Sequence, residues 1–243
     1  GKALVVASVL LALTACGGGG GGTSGPYASF ALSSGTAGEG GGVQSLDVEL
    51  HTALALEEAL SFDIVDLGTG TATSGSDYTA FVPQTITFPL GSVDGAAQTI
   101  TFEPLDDLLV EAGNETVKLR LQNASGGSVA GVVTFTGTIQ DIHAAAVGFA
   151  NAGATSADES GSESIALELD CGAGVALGTS VSVRVSDLRT GSASSGSDYT
   201  AFSAQTVTFA AGSADGAVTT GNLSIESDAS LEGNETVELG LAV

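Results

Sequence analysis

The chain has no tryptophan, no methionine, two cysteines, two histidines and only five lysines and arginines in 243 residues. Each shortage removes a class of protein. Two cysteines without Cys-x-x-Cys spacing argue against a structural zinc site and a disulfide-stapled scaffold. Against the five basic residues stand 28 acidic ones, for a formal charge of −23. Such a charge repels nucleic acid and anionic lipid head groups and attracts cations. Nucleic-acid binding is excluded. Aromatics make up 5%, so a core must be built from Val, Leu, Ile, Phe and Ala. Paired carboxylates of a glycosidase work across a sugar-binding cleft, and a chain without Trp and with three Tyr lacks the side chains to line one. No Ser-His-Asp or Cys-His arrangement suggests itself around His51 and His143. Charged residues are 14% of the chain and its mean hydropathy is positive, which is not the composition of a disordered acidic tail.

What is present begins with an address label. Lys2 precedes an apolar run, residues 3–13, interrupted only by Ser8. That is too short for a stable bilayer anchor but suits the h-region of a secretory signal. The run ends in Leu13-Thr14-Ala15-Cys16, which resembles a bacterial lipobox. The resemblance implies cleavage before Cys16 and lipidation of its thiol, with residues 1–15 as signal peptide; the alternative is an ordinary signal peptide. Residues 17–22 are all Gly. They lack the strand, helix and Lys-Ser/Thr pair of a phosphate-binding loop, so residues 16–26 read as a lipidated Cys and a flexible tether. The chain begins with Gly1 rather than Met, so some initial residues are expected to be missing. With Cys16 lipidated, Cys171 is expected to be a lone thiol.

The rest is a tandem repeat. Gly75-Ser76-Asp77-Tyr78-Thr79-Ala80-Phe81 returns as Gly196-Ser197-Asp198-Tyr199-Thr200-Ala201-Phe202, an offset of 121. Thr85-Ile86-Thr87-Phe88 returns as Thr206-Val207-Thr208-Phe209, and Gly113-Asn114-Glu115-Thr116-Val117 as Gly233-Asn234-Glu235-Thr236-Val237. A period near 120 suits a whole small domain, giving copies at 27–143 and 144–243. Within each copy the apolar period is two, as in Val117, Leu119 and Leu121 or Val181, Val183 and Val185. Short alternating runs between Gly, Ser and Asp turns predict all-β structure, about seven strands per copy, arranged as a Greek-key β-sandwich. The helix-like residues 54–60 face Gly172-Ala173-Gly174 in the second copy and read as a loop insertion. The second copy is expected to lack its last strand, and the chain to be a fragment.

The carboxylates cluster. Asp106, Asp107 and Glu111 lie in one turn, answered by Asp228 and Glu232 with Ser227 in the place of Asp106. Asp77 and Asp198 lie in the Ser-Asp-Tyr turns, Glu39 and Glu159 in Gly/Ser-rich turns, and Asp141 after the last strand of the first copy. Carboxylates gathered at one end of a sandwich repel unless a hard cation bridges them, and calcium suits irregular loops best. The alternative is that they are solvated turn residues, since Asp and Asn favour turns anyway.

Gly-Ser-Asp-Tyr-Thr, a Thr-x-Thr-Phe strand, a Gly-Ser turn and Asp-Asp-x-x-x-Glu-x-Gly-Asn-Glu-Thr-Val-x-Leu resemble the Calx-β domain, twice over. The resemblance implies a seven-stranded immunoglobulin-like sandwich in each copy. It also implies calcium at the distal loops, held by Glu39, Asp77, Asp106, Asp107 and Glu111 in the first copy and by Glu159, Asp198, Asp228 and Glu232 in the second. Family members that bind calcium carry a run of Asp after the last strand. Here that stretch keeps only Asp141, which implies weaker binding or fewer ions, and Ser227 makes the second copy the poorer site. Three functions compete at this point. One is a non-catalytic, calcium-stiffened lipoprotein module in adhesion or cell communication at a bacterial envelope, meeting surface proteins or glycans. Another is a calcium-independent stalk. The third is the tethered part of an enzyme whose catalytic domain lies beyond Val243.

Overall fold

A computed structural model describes residues 25–151, 160–229 and 231–242. Strands form where apolar and polar residues alternate, and no helix occurs among the described residues. The first copy runs β1 (Tyr27–Phe30), β2 (Ser34–Gly38), β3 (Gln44–His51), β4 (Leu60–Asp66) and β5 (Gln84–Phe88). It continues with β6 (Ala97–Phe102), β7 (Leu109–Val110), β8 (Glu115–Ser125), β9 (Ser128–Val129) and β10 (Thr134–Gln140). Two sheets result, in the orders β6-β3-β1-β9 and β2-β10-β8-β4-β5. The first strand divides between them. β1 pairs antiparallel with β3, and β2 pairs parallel with β10, from Ser34 opposite Thr136 to Gly38 opposite Gln140.

Alternation decides which face is buried. On β8, Val117, Leu119 and Leu121 are buried while Arg120 is exposed. They meet Phe30, Val48, Leu50, Phe62, Phe88 and Ile139 in one core, each worth about 1.5–3 kcal/mol of burial. Tyr78 joins them at 2% exposure, its ring 5.6 Å from that of Phe102. Its hydroxyl donates to Asp66 Oδ2, and Tyr199 donates likewise to Asp187 Oδ2 at 2.6 Å in the second copy.

The second copy runs β11 (Ala146–Phe149), β12 (Gly161–Asp170), β13 (Ala176–Leu177), β14 (Val181–Asp187), β15 (Gln205–Phe209), β16 (Val218–Ile225) and β17 (Leu239–Ala242). Its sheets are β11-β12-β16 and β15-β14-β17 around a core that includes Leu167, Leu169, Leu177, Val185 and Phe209. The short β13 pairs in parallel with β7 of the first copy, with Ala176 N–H donating to Leu108 O at 3.0 Å and Gly178 N–H to Val110 O at 2.9 Å. Cys171 is a free, buried thiol, its Sγ 3.4 Å from Val175 O.

One sequence expectation changes. Residues 54–60 are no insertion. Leu56 N–H bonds Ser92 O at 2.8 Å as Leu177 N–H bonds Ser213 O at 2.9 Å, so the Ala-Leu pair before β4 is the counterpart of β13. The edge segment β2 would not show in such a pattern, because Ser-Gly-Thr-Ala-Gly carries no large apolar side chain to display the alternation.

Candidate metal centre

Four chain segments converge at one end of the first sandwich, and backbone hydrogen bonds fix each. Glu39 N–H donates to Gln140 O at 3.0 Å, tying the end of β2 to the end of β10. Gly75, at φ 88°, closes the Gly-Ser-Asp-Tyr turn by donating to Tyr78 O at 2.8 Å, a conformation for which glycine is the default residue. That turn points the Asp77 carboxylate back onto Thr73 N–H, and Leu105 N–H bonds Asp77 O at 2.9 Å. The acid loop therefore starts beside Asp77. Within it, Asp106 accepts from Leu108 N–H at 3.0 Å and Asp107 from Leu109 N–H at 2.9 Å. Asp141 closes the ring, accepting from Glu111 N–H and from His143 N–H, each at 2.7 Å.

Glu39 is 4% exposed and Asp77 6% exposed, unusual for carboxylates. The buried Oε2 atoms of Glu39 and Glu115 have no hydrogen-bond partner. Burial pushes the Glu39 carboxyl up to about 7, with Asp107, Asp141, Glu111 and Asp106 adding to the effect. Glu111 is raised by burial and then by Asp107, Asp77 and Asp141. Glu115 is pushed to about 8 by burial and by its contact with Asp77. Asp106 goes the other way, held below the usual carboxylate range by His143 and the Leu108 N–H. The cluster thus holds negative charge that burial penalises and that no basic side chain beyond His143 relieves among the interactions named.

All six sequence-chosen residues of the first copy, Glu39, Asp77, Asp106, Asp107, Glu111 and Asp141, are brought to this end. Glu115 and His143 belong to the same cluster and were not chosen. Glu115 carried a signal, since it recurs as Glu235 in the second copy. In that copy, carboxylate atoms of Asp198, Glu232 and Glu235 lie within 4.8 Å of one another, but Glu232 and Glu235 are exposed, as is Asp228. Glu159 lies outside the described residues, as do Cys16 and the proposed signal segment. A hollow of about 370 Å³ borders the acid loop, lined by Glu111, Asn114 and Glu115 with Gly178 and Thr179 of the second copy. No aromatic side chain lines it. No described helix is long and apolar enough to cross a membrane.

Comparison with known proteins follows the same division. No curated protein matches the chain. Among solved structures, the apo-form Calx CBD1 domain is 26% identical, with a TM-score of 0.43 over 49% of this chain and 98% of that one. The tandem CBD12 of CALX1.2 is 21% identical over 82% of this chain and 74% of its own, with a TM-score of 0.43. The calcium binding domain CBD12 of CALX1.1 is 20% identical over 88% and 79%, with a TM-score of 0.42. The Calx-beta domain family matches twice, at residues 26–141 and 140–243. Two consecutive immunoglobulin-like sandwiches with the repeated Gly-Ser-Asp-Tyr and Gly-Asn-Glu-Thr motifs are therefore tandem Calx-beta domains, and the chain belongs to that family.

Proposed function

We propose that this chain is a non-catalytic, calcium-binding surface module, anchored to a bacterial envelope by lipid on Cys16 and acting in adhesion or cell communication. One observation carries the calcium reading. The Glu39 carboxylate is buried among Asp106, Asp107, Glu111 and Asp141 with an Oε2 that nothing satisfies. A divalent cation supplies what that oxygen lacks and offsets the mutual repulsion of its neighbours. The donors are all oxygen and come from loops, which suits a hard ion of flexible coordination. Asp107 and Glu111 are the principal ligands in this reading, aided by Glu39, Asp77, Asp106 and Asp141; the exposed acids of the second copy bind more weakly.

Calorimetric titration of the whole chain is expected to show calcium binding with Kd of about 0.1–1 mM, the range of extracellular modules. At ten times Kd the gain in stability is about 1.4 kcal/mol. Asp107→Ala and Glu111→Ala should abolish it, and magnesium should do much less because it demands compact octahedral geometry. A flat titration with no rise in melting temperature at 10 mM calcium, a concentration about ten times the weakest expected Kd, leaves only the bare stalk. The anchor is tested separately. Cys16→Ser should move the protein from the membrane to the soluble fraction, and unchanged partitioning sinks the lipoprotein reading.

A further inference from the structure

Calcium accounts for the oxygen donors of the first copy and leaves His143 unexplained. Its Nε2 lies 2.9 Å from Asp106 Oδ1, and its side chain is 16% exposed. The grip of Asp141 Oδ1 on its backbone N–H, at 2.7 Å, fixes where the ring stands. Calcium prefers oxygen ligands, whereas imidazole suits zinc, copper and nickel. A second, independent feature meets the ring. The Glu39 side chain, 4% exposed, has its partnerless Oε2 in the same cluster. The ligand atoms of Glu39, Asp106 and His143 all lie within 4.8 Å of one another.

We propose that Glu39, Asp106 and His143 form a mixed nitrogen–oxygen site for a borderline transition-metal dication, with zinc as its representative. The site rests on the same loop cluster as the calcium reading but differs from it in the donor set. A zinc ion here satisfies Glu39 Oε2 and exchanges the His143–Asp106 hydrogen bond for two coordinate bonds. Water completes four-coordination, as in other zinc sites with three protein ligands. Asp107, Glu111 and Asp141 stay available as hard oxygen donors. The other histidine is engaged elsewhere, bonded to Ser29 Oγ at 2.9 Å and stacked on Tyr27 at 4.7 Å.

The metal-free full chain, titrated with zinc chloride at constant pH, tests this. Wild type and His51→Gln should bind zinc with equal affinity, and His143→Gln at least about tenfold more weakly. His143→Gln should weaken calcium binding far less than zinc binding, because the ring meets the calcium donors only through Asp106. In the unmutated protein, the proton NMR signals of the His143 ring should shift much further on adding zinc than on adding calcium, which reaches the ring only through Asp106. Equal zinc affinity in wild type and His143→Gln, or a His143 ring unmoved at saturating zinc, overturns the site and reduces zinc to a counter-ion of the acid loop. Loss of the calcium response with the zinc response intact overturns only the calcium reading, and the reverse result overturns only this one.

Discussion

Gly70→Ala is expected to unfold the first domain at least about 10 °C earlier than wild type, by about 3 kcal/mol. A Cβ on Gly70 would stand 1.9 Å from Thr116 O and 3.0 Å from Val117 Cα. Both are backbone atoms of β8, and the Thr116 oxygen already accepts from Ala72 N–H at 3.0 Å. Neither can withdraw without tearing the loop from the sheet. The second copy repeats the arrangement, with Gly191 facing Thr236 O at 2.0 Å and Ala193 N–H on the same oxygen at 3.0 Å. Gly113→Ala is the control, because a Cβ there meets nothing within 4 Å. Thermal unfolding followed by circular dichroism decides the matter, and equal melting temperatures for the two variants would show that the close approach is not a constraint. The damage should reach the metal cluster too, since Thr116 follows Glu115 directly.

The second large effect is a loss of stability with rising pH in the calcium-free protein. Glu39 has a folded pKa of about 7 against 4.5 for an ordinary glutamate, and Glu115 one of about 8. A carboxyl whose folded pKa is raised favours the native state while it is protonated. As pH climbs from 4.5 to 8, the unfolded chain sheds these protons readily and the folded one does not, so the native state loses ground. His143, raised by Asp106, works in the same direction, since the stability it adds is present at low pH and is lost as it deprotonates. Asp106 and Asp63, held low, lose their stabilising effect only below 3.8, outside this window. Screened by water at the open side of the loops, Glu39 contributes about 1–2 kcal/mol, or about 5–10 °C in a domain of this size. Glu39→Gln should flatten the profile and raise the calcium-free melting temperature at pH 8, while reducing the gain from calcium. Saturating calcium should stabilise wild type more at pH 8 than at pH 5, because at pH 5 protons compete for the same oxygens. A calcium-free melting temperature that rises from pH 5 to pH 8 contradicts the assignment.

Much of the fold was legible because period-two alternation is a physical signature of a half-buried strand. Val117, Leu119 and Leu121 announced β8, and the doubled motifs announced two domains. Asp106, Asp107 and Glu111 stood out because three acids share one turn, a pattern that fits either a bound cation or solvated turn residues. The residues that escaped were ones whose role is set by distant partners. Glu115 reads as a solvated turn residue beside Asn114, yet it is half-buried and in contact with Asp77. His143 has no chemistry-bearing neighbour in sequence apart from Asp141, and its meeting with Asp106 depends on where β10 ends. Tyr78 gives no hint of Asp66, 12 residues earlier, because their bond joins the Gly-Ser-Asp-Tyr turn to the end of β4. The Ala55-Leu56 match to β13 was obscured by glycines at 172 and 174, which shift the eye but not the register.

The division of the first strand has a mechanical consequence. β2 and β10 are parallel neighbours joined over five residue pairs, near the start and the end of the first domain. A pull on the residues before β1 is taken first by β1, paired with β3 and β9, and then drags β2 toward its N-terminus, while a load on the second domain drags β10 toward its C-terminus. The two strands are then driven past each other along their common axis, so every hydrogen bond between them carries the load at once. Strands peeled from one end would surrender those bonds singly. The split strand makes the first domain a shear clamp, and the same step from β2 into Glu39 leaves an acid of the metal cluster at the very end of the loaded seam.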